Sequence, residues 1–395
     1  MAVPRRLPLL LALAAALVWA AGCGAPSPAA APKTTSVHHR KGFLLLGLAP
    51  SPPTGSGTGT LFISRHARRF RTVVYAKGAN SFRPGVTPGG RHAFVATESG
   101  KTYVLSLPSG KVSASFATPA GARLAKVAPN GKVVYVLGAN FVAAYDTAAP
   151  YHQLGLLQQG GNTFAISPGG HRGYLAGNNR RDILELRLPA LAVVSRTTVG
   201  RIGDLALSPG GNHLWAADMF NGDMFVLDTA SLQVAHTIKT PEGDPNISFT
   251  NMMAATAGFM QLSMGPKGGH LYAAGFSGHV LVFNTNTYTY GSLTIQPPSA
   301  PAGATGGKSG SGSMGSNTMG SNTMGSSSMT KPSSTSGAMA VSGPPKLSGL
   351  VVLPDGREMV ATAENYHATL LLSTATGKTM ATFPKVAANR WVTAR

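Results

Sequence analysis

The sequence is poor in cysteine and in the motifs of common enzymes. Cys23 is the only cysteine among 395 residues, which excludes an internal disulfide, a zinc site made of cysteines and a C-x-x-C-H haem attachment. No G-x-S-x-G motif marks a nucleophilic serine, and no Gly-rich loop opens a helix to bind phosphate. The usual sequence signatures of hydrolases, kinases and redox proteins are therefore missing.

Acidic residues are also scarce. The chain has 13 Asp and Glu against 33 Lys and Arg, a formal net charge of +20. The basic residues are scattered and form no nucleic-acid-binding motif, so we expect no nucleic-acid partner. Acid denaturation largely reflects protonation of carboxylates that are ionised in the native protein. A fold with few carboxylates has little stability to lose in this way, so we expect an acidic external medium. A polyanionic surface partner and compositional drift are the alternatives.

The N-terminus has the layout of an export signal. MAVPRR is followed by an apolar segment, Leu7 to Ala21, which is too short for a permanent membrane-spanning helix. AAGC, ending at Cys23, resembles the lipobox of bacterial lipoproteins, where cleavage precedes an acylated cysteine. We expect residues 1–22 to be a signal peptide and 23–42 a tether, which predicts a lipoprotein of the cell envelope, in the periplasm or on the outer surface. A plain secretory signal is the alternative.

A repeat of about 40 residues occupies the rest of the chain. Each copy has a Pro-x-Gly turn between two apolar runs, and the turn prolines are Pro88, Pro129, Pro168, Pro209, Pro266 and Pro354. Within a copy, four short runs rich in Val, Leu, Tyr and Phe are separated by turn residues, as in ALSP, HLWAAD, MFVLDT and QVAHTIKT. Four strands in about 40 residues are typical of a β-propeller blade.

These copies resemble the bacterial YVTN-type β-propellers, relatives of the WD-repeat fold. The resemblance rests on SPGG with HLWAAD and FVLDTAS, on APNG with VVYVLGAN, and on GPKGG with HLYAAG. It covers residues 43–395 apart from two insertions and implies an all-β fold of four-stranded antiparallel blades. Some similar propellers are lactonases or quinoprotein dehydrogenases, so the resemblance does not settle the function.

Both ends of the chain contribute to one blade. Six copies are complete, and residues 43–77 supply only the second, third and fourth strands of a further one. Val386 to Arg395 resembles an innermost strand. We expect it to pair with Phe43 to Ala49 and to bury Trp391 between blades, which closes a ring of seven blades.

Strand order predicts that elaboration is confined to one face. Loops between second and third strands share a face with the crossovers to the next blade, here called the loop face; the Pro-x-Gly turns lie on the opposite turn face. The insertions 241–258 and 297–345 both fall in crossovers. The candidate binding residues on this face are Asn179, Arg180, Arg181, Asp218, Phe220, Asn221, Phe276, His279, Glu364, Tyr366 and His367.

The second insertion is rich in Ser, Gly and Met, and its composition predicts a disordered loop. It carries methionines at a five-residue spacing, Met314, Met319, Met324 and Met329. Thioether sulfur is a suitable ligand for Cu(I), which makes copper binding one interpretation of this spacing. Duplication of a GSNTM unit in a spacer also explains the spacing, and we prefer this second interpretation. His92, His171, His213 and His270 recur once per blade, so the repeat explains them without a shared metal.

The sequence favours a non-catalytic, envelope-anchored β-propeller, monomeric and without a cofactor, that binds an envelope protein or a small ligand on its loop face. One alternative is a propeller hydrolase of the lactonase type or a quinoprotein-type enzyme, for which Asp218, Asp223, Glu98 and Glu364 are the candidate carboxylates. The other is a periplasmic copper-handling protein that uses the Met-rich loop.

Overall fold

The computed structural model describes residues 42–49, 58–77, 81–177, 180–244, 258–298, 343–388 and 390–394. These residues form seven four-stranded antiparallel sheets arranged as the blades of a β-propeller, as predicted. Cys23, residues 245–257 and residues 299–342 with their four methionines lie outside the described residues. The described part contains a single 3-10 turn, Glu364–Tyr366, and no helix of the length and hydrophobicity needed to cross a bilayer.

Blade 1 combines strands from both ends of the chain, whereas every other blade is continuous in sequence. Its strands, from the channel outward, are β28 (Trp391–Ala394), β1 (Leu44–Leu48), β2 (Thr58–Arg65) and β3 (Arg69–Lys77). Blade 2 consists of β4 (Gly85–Val86), β5 (His92–Thr97), β6 (Lys101–Ser106) and β7 (Lys111–Ala117). Blade 3 consists of β8 (Ala122–Val127), β9 (Val133–Gly138), β10 (Val142–Asp146) and β11 (Gln153–Leu157).

The remaining blades follow the same order. Blade 4 consists of β12 (Thr163–Ile166), β13 (Arg172–Ala176), β14 (Asp182–Arg187) and β15 (Ala192–Thr198). Blade 5 consists of β16 (Ile202–Leu207), β17 (His213–Asp218), β18 (Asp223–Asp228) and β19 (Val234–Lys239). Blade 6 consists of β20 (Phe259–Met264), β21 (His270–Gly275), β22 (His279–Asn284) and β23 (Tyr290–Thr294), and blade 7 of β24 (Leu347–Val352), β25 (Glu358–Ala363), β26 (Ala368–Ser373) and β27 (Thr379–Pro384).

The Pro-x-Gly turns hold neighbouring blades together. Gly211 has a φ of 76°, which favours glycine. A β-carbon at this position would lie 2.8 Å from the ring of Pro168 in the preceding blade, and one at Gly268 would lie 2.6 Å from Pro209. The turn glycine of one blade is thus packed on the turn proline of the blade before it. This contact explains why proline and glycine recur together.

The threonine in segments such as FVLDTAS links the turn after the third strand of a blade to the Pro-x-Gly turn of the same blade. Thr229, directly after β18, donates its hydroxyl to the carbonyl oxygen of Gly211 at 2.7 Å. Thr285 makes the same bond to Gly268 at 2.6 Å, although Asn replaces Asp before it. The motif therefore ties the two turns of one blade together on the turn face.

The core lies between blades rather than in one central mass. Second and third strands are buried on both faces: Val134, Leu137, Val142 and Ala144 of blade 3 have no exposed surface. The fourth strands form the rim and alternate exposed and half-buried residues. Burial is greatest in the second and third strands and least at the rim, which is why the middle strands are almost continuously apolar.

The ring closes as predicted. β28 pairs with β1 in antiparallel register, with Leu44 opposite Ala394 and Gly47 opposite Trp391. Trp391 is fully buried between blades 1 and 7, and its indole N–H donates to Thr362 Oγ1 of β25 at 2.8 Å. A β-carbon at Gly47 would lie 2.6 Å from the Trp391 ring, so the indole requires glycine there.

The chain enters β1 from the turn face. The amide N–H of His66, in the turn between β2 and β3, donates to the carbonyl oxygen of Phe43 at 3.4 Å, and the two rings meet edge to face at 5.4 Å. That turn joins a third strand to a fourth and therefore lies on the turn face. Phe43 is thereby fixed at the side of the ring opposite the crossovers.

Truncation of the closing tryptophan is expected to be costly. Trp391→Ala should lower the free energy of unfolding by about 3–5 kcal/mol because it empties a fully buried site between two blades. Gly47→Ala should cost about 1–3 kcal/mol by overpacking, and less in the Trp391→Ala background, where the ring has been removed. Urea denaturation of the two single variants and the double variant measures this coupling. Met380→Ala, on the exposed rim, is the control; additive costs would contradict the packing described.

Candidate functional site

The described ends of both insertions contact the loops between second and third strands. The hydroxyl of Thr240, after β19, donates to the carbonyl oxygen of Gly222 at 2.6 Å. At the other insertion, the Tyr366 hydroxyl donates to Gly343 O at 2.6 Å and the Asn365 amide to Pro344 O at 3.0 Å. Both insertions therefore leave the ring from the loop face.

Arginines stacked on aromatic rings are a main feature of this face. The guanidinium of Arg201 lies 4.6 Å from the centre of the Phe220 ring. The guanidinium of Arg123 lies 5.7 Å from the Phe82 ring, and its Nε also pairs with Glu98 at 2.6 Å. A cation over an aromatic face is favourable even at exposed sites. Of these residues only Phe220 was a candidate binding residue.

The loop before β14 carries further arginines. Arg180 binds Asp182 through two nitrogens, at 2.9 and 3.1 Å, and Arg196 approaches the same carboxylate at 3.4 Å. Arg181 is exposed. Asn179 lies outside the described residues. One carboxylate is thus shared by two arginines, and the loop keeps an excess of positive charge.

Two candidate residues are buried instead of displayed. Asp218 is 1% exposed and accepts hydrogen bonds from the amides of Phe220 and Asn221 and from the Asn221 side chain, so it shapes the turn. Phe276 is 2% exposed and packs with Met219 and Met260. Phe276 is therefore not displayed on the loop face, because Met219 of blade 5 and Met260 of its own blade cover the ring. Asn221 itself is exposed.

His279 belongs to a group of three contacting side chains, with Ser277 and Glu242, at the start of the first insertion. The Ser277 hydroxyl contacts both Glu242 Oε1 and His279 Nδ1, the latter at 3.0 Å. Glu242 is 1% exposed, and this burial raises its pKa, although the Ser277 hydroxyl and His279 act in the opposite direction. Glu242 was not among the candidate residues because it lies at the start of an insertion, outside the repeat.

Glu364, Tyr366 and His367 lie together in the 3-10 turn between β25 and β26. The Ser348 hydroxyl donates to Glu364 Oε1, and burial raises the pKa of Glu364, while Ser348, Arg390 and His367 oppose the rise. Tyr366 holds the end of the second insertion, and His367 is exposed with a φ of 47°. This turn therefore joins the insertion to the mouth of the central channel near Arg390.

Cations from different strands converge in the central channel. Arg83 precedes β4, Lys126 lies on β8 and Arg390 precedes β28. Lys126 Nζ donates to the carbonyl oxygen of Phe164 at 2.8 Å. Burial, with a smaller contribution of the same sign from Arg83, lowers the pKa of Lys126 to about 7, whereas Asp204 acts in the opposite direction. Burial also lowers the pKa of Arg390, but arginine stays protonated.

The polar residues beside these cations connect neighbouring blades. Asp204 accepts the Thr163 hydroxyl at 2.7 Å and the Leu262 amide at 2.9 Å, one on each carboxylate oxygen. Gln261 donates to Trp391 O at 3.2 Å and accepts the Leu350 amide at 2.9 Å. Side chains of inner strands thus bond to inner strands of adjacent blades, and Gln261 of blade 6 also reaches Trp391 of blade 1. These bonds satisfy edge groups that would otherwise face the channel.

The four candidate carboxylates for a hydrolase lie in three blades, and among them Asp218 and Asp223 are neighbours at the paired ends of β17 and β18. Glu98 belongs to blade 2, Asp218 and Asp223 to blade 5, and Glu364 to blade 7, and each has a local partner; Asp223 pairs with Lys239 at 2.8 Å. The four recurring histidines lie in four different blades. Within the described ranges, no three His, Cys, Asp or Glu side chains are grouped so that they could hold a metal ion.

Comparison with known proteins supports the fold but assigns no family. No protein-family model matches the chain, and no curated protein matches it in sequence. Among solved structures, hydrazine synthase from Kuenenia stuttgartiensis aligns with a TM-score of 0.59 and 14% identity over 79% of this chain and 89% of that one. At this identity the likeness concerns the β-propeller fold alone. As many as 1745 solved chains are similar, so the architecture does not indicate one activity.

The position of Glu364 at the channel mouth predicts that its replacement by Gln raises thermal stability in a pH-dependent way. Glu364→Gln keeps an acceptor for Ser348 and removes a charge whose ionisation is disfavoured in the folded protein. Since a raised pKa costs stability only as pH rises above the unfolded value, the variant and the parent should melt together at pH 3.5, and the variant should melt higher at pH 7.5. Thermal unfolding followed by circular dichroism measures both.

Glu98→Gln is the matched control because Glu98 forms an ion pair with Arg123 instead of a buried contact. It should leave the melting temperature at pH 7.5 unchanged or slightly lower. A lower melting temperature of Glu364→Gln at pH 7.5 would mean that pairing with Arg390 outweighs burial.

Proposed function

We propose that this protein is a non-catalytic β-propeller that binds an acidic protein partner on its loop face. The observation that carries the proposal is the pair of arginine–aromatic stacks, Arg201 on Phe220 and Arg123 on Phe82. Arginine and aromatic residues are enriched at protein interfaces and dominate their binding energy. The YVTN-type resemblance of the repeats is compatible with such a scaffold.

The charge balance of the face supports an acidic partner. Its described carboxylates already have contacts within the chain: Glu98 with Arg123, Asp182 with Arg180, and Asp223 with Lys239. Arg181 and Arg201 are exposed in addition. Opposite charge on the partner would accelerate encounter and exclude basic competitors.

Placement in the cell envelope is part of the same proposal. The signal-like segment before Cys23 and the lone cysteine support export and acylation of Cys23. We expect Cys23→Ser to move the protein from the membrane fraction to the soluble exported fraction of the cells that produce it, because the lipid chains would be lost. Mass analysis of the mature N-terminus is the second measurement. An unmodified Cys23 in a membrane-free parent protein would contradict the anchor.

Site-specific photo-crosslinking tests the binding face. A photoreactive amino acid at Asn221, exposed on the loop face, should give discrete adducts with a partner in intact producing cells. The matched position is Asn130, which is exposed in the Pro-x-Gly turn of blade 3 on the opposite face and should give none. Arg201→Ala should reduce the adduct yield at Asn221 severalfold because interface arginines often contribute more than 1 kcal/mol. Equal labelling from both faces, or a yield insensitive to Arg201, would overturn the proposal.

A further inference from the structure

The central channel widens into a cavity of about 390 Å³ lined by residues of the inner strands. That volume holds a small organic molecule and exceeds the needs of a single water. Its wall includes the basic residues Arg83 and Lys126 and the apolar residues Val86, Val127, Leu207 and Met264. None of these residues belongs to the loop surface proposed to bind a protein partner.

The two cations have unused donors. Lys126 carries three N–H donors, and one of them is used on Phe164 O; in the described part of the chain its ammonium has no further hydrogen-bond acceptor. Arg83 has no side-chain hydrogen bond or ion pair to any described residue. Buried and half-buried polar groups normally find partners, so these donors are suited to an external acceptor.

The neighbouring charges leave the cavity positive. Asp204 is the nearby carboxylate, and both of its oxygens already accept hydrogen bonds from Thr163 and Leu262. Arg390 lies close enough to interact electrostatically with both Asp204 and Arg83. Glu364, which faces Arg390, has a raised pKa that favours its neutral form. An anion would relieve the repulsion between Arg83, Lys126 and Arg390.

Apolar side chains line the other end of the cavity. Four half-buried residues occupy equivalent positions, each two residues before the turn proline that follows its strand. They are Val86, Val127, Leu207 and Met264. They stand at the ends of their strands nearest the turn face, whereas Arg83 precedes Val86 by three residues and Lys126 precedes Val127 by one. A molecule that enters from the turn face therefore meets apolar surface first and positive charge second.

We propose that the channel binds an amphiphilic organic acid, with its carboxylate or phosphate head on Arg83 and Lys126 and its apolar chain against Val86, Val127, Leu207 and Met264. This site goes beyond the proposed loop-face function and does not depend on it. Binding consists of hydrogen bonds and apolar contacts, with no chemical change of the ligand.

Calorimetric titration of the whole mature protein with octanoate and with octyl phosphate tests the proposal. Acetate supplies a head without a chain, and 1-octanol supplies a chain without a charge. Octanoate or octyl phosphate should bind at least about tenfold more tightly than acetate, since each buried methylene adds to affinity, and more tightly than 1-octanol. The better of the two acids identifies the head group. Because Lys126 is protonated below about pH 7 and octanoate is ionised at both pH values, the affinity for octanoate should be higher at pH 6 than at pH 8.5.

Two variants connect the affinity to the channel. Lys126→Met should weaken binding of the preferred acid about tenfold and remove most of the change in octanoate affinity between pH 6 and pH 8.5. Lys111→Met, on the exposed rim, should change neither. Arg83→Gln should weaken binding similarly and guards against misfolding of the first variant. Equal binding of 1-octanol and the acids, or identical affinities of the parent and both channel variants, would overturn the proposal.

Discussion

The antiparallel pairing of β28 with β1 is the constraint on which the rest of the structure depends. A propeller blade has no core of its own, because its buried side chains pack against the two neighbouring blades. An open ring would expose an apolar sheet face at each end and an unpaired strand edge. Trp391 fills that joint, and its hydrogen bond to Thr362 ties blade 1 to blade 7. The positions of the channel residues and of the loop face follow from this closure.

The repeat carried most of the information about the fold. Strand number, blade number and closure were predictable because the turn chemistry recurs along the chain. Turn prolines pack against the next blade's glycine, and in blades 3, 5, 6 and 7 a threonine bonds to the carbonyl group of the turn glycine. The channel was not predictable in this way. Arg83 and Lys126 stand at positions where other copies have Leu124 or Ala206, and a departure from a repeat does not reveal whether the side chain faces solvent, a neighbouring blade or a cavity.

The candidate site was predictable only at the level of the face. Strand order places the loops on one side, which is why Phe220, Asn221 and Arg181 were found together with the insertions. Strand order does not show which side chains of a loop are exposed. Asp218 points inward because its carboxylate accepts hydrogen bonds from the amides of the turn. Phe276 points inward because its ring packs with Met219 and Met260. The partners Arg201 and Glu242 were missed since they lie in crossovers, which vary in length and have no register to align.

The contact between Phe43 and His66 fixes the side of the ring at which the described chain begins. The first described residues reach blade 1 at the turn face, opposite the described ends of both insertions and the arginines of the loop face. The loop face is therefore clear of the point at which the chain enters the ring.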